Sequence, residues 1–288
     1  MQLREHSTLT PAPAGARRRS LIPTALLAAL LALTLAACGG GDDEGGTTTE
    51  AEQPKEPATT SSAEAATTPA ALNATISGTI TFGAEARREP QVLNMEADPV
   101  CAEKNAEDPK TEQAFLLDDS KGIANVLIQV KSGLPDMEFD APESEVEFTQ
   151  SGCLYDPHIL IARVGQTVKI LNPDGTLHNV HVFGKVNQEF NQAMPKFQTE
   201  LDQVFDKVEA EPFAIKCDVH PWMNAFGVVL DHPYAAVTAA DGSFSIPNLP
   251  AGTYQVEVWH ELLGASTHEV TVEDGGTATL DLALQPPS

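Results

Sequence analysis

The sequence is poor in positive charge and in recognisable catalytic motifs. It has 17 lysines and arginines against 41 aspartates and glutamates, a formal charge of −24 at neutral pH. That balance excludes nucleic acid as a partner, because phosphate binding needs a basic surface. The sequence also lacks a Ser-His-Asp arrangement, a glycine-rich phosphate loop, a paired His-Glu zinc motif and a haem Cys-x2-Cys-His motif. Nothing in this inventory points to an enzyme.

Long apolar runs are also missing. The run from Ala25 to Ala37 follows Arg17-Arg18-Arg19 and is too short for a membrane span, but it has the length of a secretory hydrophobic region. We therefore predict that residues 1–37 are a signal peptide.

The signal peptide ends in Leu35-Ala36-Ala37-Cys38, which resembles the lipobox of bacterial lipoproteins. The resemblance implies that Cys38 carries lipid and that the protein is anchored to a membrane without spanning it. An ordinary cleavage site followed by a thiol is the alternative. We expect an extracytoplasmic location, at the outer membrane or periplasmic face of a Gram-negative cell and at the surface of any other.

Residues 38–72 are rich in Gly, Thr, Glu, Ala, Pro and Ser and have no aromatic residue. Such a segment cannot bury enough apolar surface to fold, so we interpret it as a disordered tether. Removing residues 1–37 takes away four arginines and one glutamate, which leaves 13 basic and 40 acidic residues and a charge of −27. An acidic surface can steer a cationic partner, but it is also a common means of solubility.

The rest of the chain, residues 73–288, shows apolar residues in alternation and no long amphipathic helix. The alternating sets are Ile76, Ile80 and Phe82; Val168 and Ile170; Tyr254, Val256 and Val258; and Leu280, Leu282 and Leu284. Short alternating runs between Gly, Pro, Asn and Asp predict an all-β fold of two sandwiches. The best candidate for a short helix lies at Asn187 to Met194.

The chain has four cysteines. With Cys38 assigned to lipid and Cys217 to a candidate metal site, Cys101 and Cys153 remain. In an oxidising compartment two spare thiols predict a disulfide. The alternative assigns one of them to a second metal site with His158.

The stretch Cys217-Asp218-Val219-His220-Pro221-Trp222-Met223 places a thiolate, an imidazole and a thioether within one turn. A thiolate, imidazoles and a weak axial thioether are the ligands that suit a copper ion cycling between Cu(I) and Cu(II). Upstream, Asp174-Gly175-Thr176-Leu177-His178 is a turn that ends in a histidine. We predict one copper ion bound by His178, Cys217, His220 and Met223.

Residues Val146 to Leu230 resemble the cupredoxins, the blue-copper electron-transfer family. The resemblance is carried by His178-Asn179-Val180, a long connection, Cys-x2-His-x2-Met, and the return strand that includes Gly227 to Leu230. The ligand loop is most similar to that of amicyanin, with Pro221 and Trp222 between histidine and methionine. The resemblance implies a type 1 copper site with the two histidines and Cys217 equatorial and Met223 axial, and a redox partner protein.

The same resemblance carries three expectations about the site. Asn179 is expected to hydrogen-bond between the two ligand loops, and the His220 ring to lie at the surface within an apolar patch of Pro221 and Trp222. Asp218, beside the thiolate, is a departure from the family that is expected to favour the oxidised ion. His181 is a weaker alternative ligand, which faces away from the ion if its strand is regular.

The C-terminal part, residues 231–288, resembles the carboxypeptidase-regulatory-like (transthyretin-like) β-sandwich. The resemblance is carried by Ala240-Asp241-Gly242-Ser243-Phe244, by Leu249-Pro250-Ala251-Gly252 and by Tyr254 to Trp259. The Asp241-Gly242 pair predicts a hairpin turn. Because Ile76 to Phe82 and Gly122 to Val130 resemble the opening strands of this module, we predict that residues 73–140 and 231–288 form one sandwich with the cupredoxin, residues 141–230, inserted. His232, His260 and His268 are expected to have structural roles.

These observations favour a membrane-anchored copper protein that carries single electrons. A four-ligand closed site leaves no open coordination position, so we expect no enzyme activity. Two alternatives stay open: a copper-binding or copper-delivery lipoprotein without a redox role, and a structural or adhesive lipoprotein with a degenerate metal site.

Overall fold

The computed structural model describes residues 71–85 and 89–286. The predicted signal peptide, the predicted lipidation site Cys38 and residues 38–70 of the predicted tether lie outside these ranges. Within them, no helix is long and apolar enough to cross a membrane.

Nearly all regular elements of the described chain are strands, which confirms the all-β prediction. The elements are β1 Ala74–Phe82, α1 Pro99–Lys104, β2 Leu127–Ser132, β3 Val146–Thr149, a 3-10 turn Ser151–Cys153, β4 Ile159–Arg163, β5 Thr167–Leu171, β6 His178–Val182, β7 Phe190–Met194, β8 Glu200–Val204, β9 Glu209–Lys216, β10 Asn224–Leu230, β11 Ala235–Val237, β12 Ser243–Leu249, β13 Gly252–His260, β14 Gly264–Val272, β15 Thr277–Thr279 and β16 Leu282–Leu284. Alternating burial along β1 and β13 matches the period of two read from the sequence.

Strands β3 to β10 form one sandwich, which we call the central sandwich. One sheet has the order β4-β10-β9-β6-β7 and the other the order β3-β5-β8. Phe148, Leu160, Val180 and Phe213 are among the residues buried between them.

The remaining strands form a second sandwich, which we call the flanking sandwich. One sheet has the order β12-β1-β15, with β16 also paired to β1, and the other has the order β11-β2-β13-β14. Val130 of β2 lies opposite Val256 of β13, and Ile76 of β1 opposite Ile246 of β12. Strands that precede the central sandwich in the chain therefore pair with strands that follow it.

A third apolar cluster joins the two sandwiches. It buries Leu127 from the flanking sandwich with Ile159, Val228 and Leu230 from the central one. Polar contacts surround it, including Gln129 Nε2 to the Ala210 carbonyl at 2.8 Å and Lys131 Nζ to Glu211 Oε1 at 2.8 Å.

The helix expected at Asn187 to Met194 is wrong. Phe190–Met194 is the edge strand β7, which pairs antiparallel with β6 so that Met194 lies opposite His178. Sheet pairing there decides the conformation over local propensity. The helix that does form, α1, begins after Asp98, whose side chain accepts hydrogen bonds from the backbone N–H groups of Val100 and Cys101.

The hairpin expected at Asp241-Gly242 is also wrong, although a tight turn is present. Gly242 has φ of +78°, and its N–H donates to the Ala239 carbonyl at 2.9 Å. The strands on either side, β11 and β12, nevertheless belong to opposite sheets of the flanking sandwich. The turn therefore carries the chain from one layer to the other.

Candidate metal centre

The predicted ligand residues come from two loops at one end of the central sandwich. His178 is the first residue of β6, whereas Cys217, His220 and Met223 lie in the connection between β9 and β10. Strand β6 pairs with β9, with His181 opposite Lys216. The two strands are antiparallel, so the beginning of β6 lies beside the end of β9. His178 begins β6 and Cys217 directly follows β9, and the pairing therefore brings these two residues side by side.

Three of the four predicted ligands meet at one point. A nitrogen of His178, a nitrogen of His220 and the sulfur of Cys217 all lie within 4.8 Å of one another. The Nδ1 atoms of the two histidines are 2.9 Å apart, and Cys217 Sγ is 3.8 Å from His220 Nδ1. Two imidazole nitrogens and a thiolate form a donor set that fits a copper ion.

Met223 is fully buried in the same apolar cluster as Cys217. Its N–H donates to the His220 carbonyl at 2.9 Å, and its carbonyl accepts from the Cys217 N–H at 3.2 Å. These two bonds close the ligand loop into a compact turn.

Asn179 connects the two ligand loops. Its Oδ1 accepts from the backbone N–H of Asp218 at 2.7 Å and lies 3.3 Å from Cys217 Sγ. Its backbone carbonyl accepts from the hydroxyl of the buried Tyr155 at 2.5 Å. The contact expected between the loops is therefore present.

Cys217 has the electrostatics of a ligand thiol. Burial alone would raise its pKa, but hydrogen bonding with His178 and His220 outweighs burial and lowers the pKa of the thiol to about 6. The thiolate is the form that binds metal. Burial would lower the pKa of His178, but hydrogen bonding with Asp174 and Cys217 raises it.

The expectation that the His220 ring reaches the surface is wrong. Only 2% of His220 is exposed, because residues 89–118, which we call the covering segment, fold over it. Asp98 Oδ2 lies 3.0 Å from His220 Nε2, and Cys101 Sγ lies 3.9 Å from the same nitrogen. Trp222 remains half-buried, with its ring centroid 5.0 Å from that of His220.

The Cys101–Cys153 disulfide is present and attaches the covering segment to the central sandwich. Cys101 is in α1 and Cys153 in the 3-10 turn before β4. Because both cysteines are paired, neither is available to a second site with His158. The Trp222 indole N–H donates to the Cys153 carbonyl at 3.1 Å, so this bridge also adjoins the ligand loop.

The other five histidines of the described residues lie outside the donor group. His181 is bonded to Asp218 at 3.1 Å and to Glu189 at 3.1 Å. His158 Nε2 lies 2.5 Å from Glu261 Oε1. The other three make local contacts: His232 Nδ1 accepts from the Tyr234 N–H, His260 Nδ1 from the Leu262 N–H, and His268 pairs with the Ser266 hydroxyl.

Two residues at the centre were missed by sequence reasoning, Asp98 and Asp174. Asp174 Oδ2 lies 3.0 Å from His178 Nε2, and Asp98 Oδ2 likewise lies 3.0 Å from His220 Nε2. Burial would raise the pKa of each carboxyl, but hydrogen bonds, from His178 to Asp174 and from His220 to Asp98, lower both. Asp174 precedes His178 by only four residues, so its contact with His178 could have been predicted from the sequence. Asp98 is 122 residues from His220, and only the fold brings these two together.

One family model matches part of the chain. Residues 227–285 match the model of the carboxypeptidase regulatory-like domain. No curated protein sequence matches the chain.

Among solved structures, the Cu-containing nitrite reductase from Thermus scotoductus SA-01 is similar at 18% identity and a TM-score of 0.28, covering 35% of this chain. The match spans about a quarter of that enzyme, 26% of its length. A mutant of amicyanin in the Cu(I) state is 23% identical, with a TM-score of 0.27, and covers 35% of this chain and 97% of its own. A purple cupredoxin from Nitrosopumilus maritimus is 22% identical, with a TM-score of 0.24, covering 29% of this chain and 98% of its own.

Proposed function

We propose that the protein binds one type 1 copper ion through His178, Cys217, His220 and Met223 and carries single electrons. The observation that carries the proposal is the convergence of one nitrogen of His178, one nitrogen of His220 and Cys217 Sγ within 4.8 Å of one another. When bound, copper supplies a one-electron couple between Cu(I) and Cu(II). The chain supplies a rigid donor set, held by two paired strand ends and the Asn179 bridge.

Burial of the donors supports a carrier over a delivery protein. His178, Cys217, His220 and Met223 are each 3% exposed or less, so a chelator or an acceptor protein has little access to the ion. A donor set of four also leaves no position for a substrate, which favours a carrier over an enzyme. The partner is then a redox protein.

The first test is the visible spectrum of residues 73–288 after addition of Cu(II). We expect an intense blue thiolate-to-copper absorption and one copper per chain. Cys217→Ser should abolish the absorption, whereas His268→Gln, in the flanking sandwich, should retain it. A wild-type protein that takes up no copper would contradict the proposal and favour a structural role.

A second test separates electron transfer from copper delivery. A carrier should give a reversible one-electron wave and lose Cu(I) slowly to a chelator. His181→Gln should leave both properties unchanged, because His181 lies outside the donor group. Rapid loss of Cu(I) without a reversible wave would favour delivery.

We also propose that the protein is lipidated at Cys38 and held on the outer side of a bacterial membrane. The lipobox-like Leu35-Ala36-Ala37-Cys38 supports this proposal. Labelled palmitate should be incorporated into the wild-type protein expressed in a bacterium and not into Cys38→Ser. Equal labelling of both proteins would contradict it.

A further inference from the structure

Each histidine of the candidate centre has a carboxylate on its outer nitrogen. His178 Nε2 lies 3.0 Å from Asp174 Oδ2, and His220 Nε2 lies 3.0 Å from Asp98 Oδ2. The inner Nδ1 atoms face each other at 2.9 Å. Both rings therefore have the same arrangement, with Nε2–H donating to a carboxylate and Nδ1 directed at the donor group.

Asp98 is surrounded by hydrogen-bond donors. Its Oδ1 accepts from the N–H groups of Val100 at 2.8 Å and Cys101 at 3.2 Å. Its Oδ2 accepts from the Thr176 hydroxyl at 3.1 Å as well as from His220. Only a carboxylate accepts on both sides, because an amide in its place would turn an N–H against another donor.

Asp174 has an equivalent environment. Its Oδ1 accepts from the Gly152 N–H at 2.9 Å, and its Oδ2 accepts from the Cys153 N–H at 2.7 Å. Lys104 Nζ, on α1, lies 3.4 Å from Oδ1, and the Asp174 side chain is 1% exposed. The carboxylate is thus fixed by backbone and cannot rotate away from His178 without losing these bonds.

The disulfide connects the two carboxylates. Asp98 accepts from the N–H of Cys101, and Asp174 accepts from the N–H of Cys153. The Cys101–Cys153 bridge therefore holds together the two backbone segments that hold the aspartates. The covering segment is a structural part of the metal centre for this reason.

We propose that Asp98 and Asp174 are positioning residues that hold His220 and His178 with Nδ1 free for the metal, and that their charges favour the oxidised ion. A carboxylate on the outer N–H fixes tautomer and ring orientation and makes the ligand nitrogen more basic. A more basic ligand and a nearby negative charge stabilise Cu(II) over Cu(I). The inference rests on the proposed copper site, and it predicts a lowered reduction potential.

The first experiment uses the metal-free protein, residues 73–288, and needs no copper. Long-range ¹H–¹⁵N NMR of the histidine rings should show Nε2–H on both His178 and His220, protected from exchange with water. In Asp98→Ser the serine still caps α1 but no longer reaches His220, so the His220 Nε2–H should lose its protection while that of His178 persists. Protection of the His220 Nε2–H that is unchanged in Asp98→Ser and in Asp98→Asn would overturn the proposal.

The second experiment measures the reduction potential of the copper-loaded protein. Asp98→Ser and Asp174→Asn should each raise the Cu(I) to Cu(II) ratio at fixed potential about tenfold, which is about 59 mV for one electron. Asp202→Asn removes an exposed carboxylate on β8, opposite Lys169, and should leave the ratio unchanged. If the wild-type protein and the three variants have equal reduction potentials, the proposal that the charges of Asp98 and Asp174 favour the oxidised ion is overturned.

The two experiments separate this inference from the proposed function. If the wild-type protein binds no copper yet shows both protected Nε2–H groups, the copper proposal fails and the positioning of the histidines is supported. If it binds copper with a blue absorption but the NMR signals do not respond to Asp98→Ser, the copper site stands and the positioning role is overturned.

Discussion

At the scale of single residues, Asn179 sets the spacing of the two ligand loops. It is 4% exposed, and its Oδ1 is the acceptor for the Asp218 N–H. Asn179→Ala leaves this N–H unpaired, so we expect the free energy of unfolding of the metal-free protein to fall by about 1–3 kcal/mol. Urea unfolding measures this, with the exposed Gln192→Ala on β7, whose side chain bonds within the described chain only to the neighbouring Ala193 carbonyl, expected to stay within about 0.5 kcal/mol as control. Equal losses in both variants would contradict the role given to Asn179.

A second residue-scale prediction concerns pH and His260. The side chain is 1% exposed, and its Nε2 has no hydrogen-bond partner. Burial lowers the pKa of His260 to about 4, so between that value and its ordinary value of about 6.5 the unfolded chain binds a proton that the folded chain does not. The contribution of neutral His260 to the free energy of unfolding is complete above its ordinary pKa. This contribution is lost as the pH falls from the ordinary pKa through the pKa of His260 in the folded state.

Urea unfolding at several pH values tests this prediction. Between pH 7 and pH 4 the wild-type protein should lose up to about 3 kcal/mol more unfolding free energy than His260→Phe, in which the group is absent. The difference between the two proteins isolates His260 from the other groups that titrate in acid. Parallel losses would show that His260 is not buried as a neutral ring.

At the scale of elements, the Cys101–Cys153 bridge closes a loop with a sequence separation of 52 residues. Loop-closure entropy predicts that the bridge stabilises the protein by about 4 kcal/mol. The double variant Cys101→Ala with Cys153→Ala should lose about that much in urea unfolding. The wild-type protein under a dithiol should lose a similar amount, and a loss below about 1 kcal/mol would mean that the covering segment is held mainly by its other contacts.

Strand β1 carries another prediction, at Gly78. β15 pairs with Thr75–Ser77 and β16 with Ile80–Phe82, and between them the chain passes directly over Gly78. A Cβ at Gly78 would lie 2.1 Å from the Leu280 carbonyl oxygen. Gly78→Ala should therefore lower the unfolding free energy by about 2 kcal/mol or more, whereas Ser77→Ala should have little effect. Thermal unfolding of both variants decides this. A Gly78→Ala variant with the unfolding temperature of the wild-type protein would contradict the close passage of the chain over Gly78.

The elements also show what the sequence could predict. Strong alternation predicted β1, β5 and β13, and the two thiols left after Cys38 and Cys217 were assigned, in an expected oxidising compartment, predicted the bridge between Cys101 and Cys153. β7 was predicted as a helix because its strand conformation comes from pairing with β6, which local sequence does not encode. The buried position of His220 was also missed, because Asp98 lies 122 residues away and only the fold brings the two together.

At the scale of the whole molecule, the flanking sandwich takes strands from both sides of the central one. The partners of β1 are β12, β15 and β16, and those of β2 are β11 and β13. Residues 71–230 would therefore keep the central sandwich but leave β1 and β2 without partners. We expect amides of β1 and β2 in this shortened protein to exchange rapidly with deuterium, while those of β9 and β10 stay protected. Protected β1 amides would contradict the pairing.

The interleaving of the two sandwiches has a consequence for biosynthesis. As the chain emerges, β1 and β2 come first, the complete central sandwich is available once residue 230 has appeared, and the last partner of β1 ends at Leu284. The central sandwich, which brings His178, Cys217 and His220 together, can thus fold before the partners of β1 and β2 have appeared. Until then β1 and β2 have unpaired edges and exposed apolar faces, the features that make an incomplete chain prone to aggregation. The interval between the appearance of residue 230 and that of residue 284 is therefore the stage at which the chain is most exposed to aggregation.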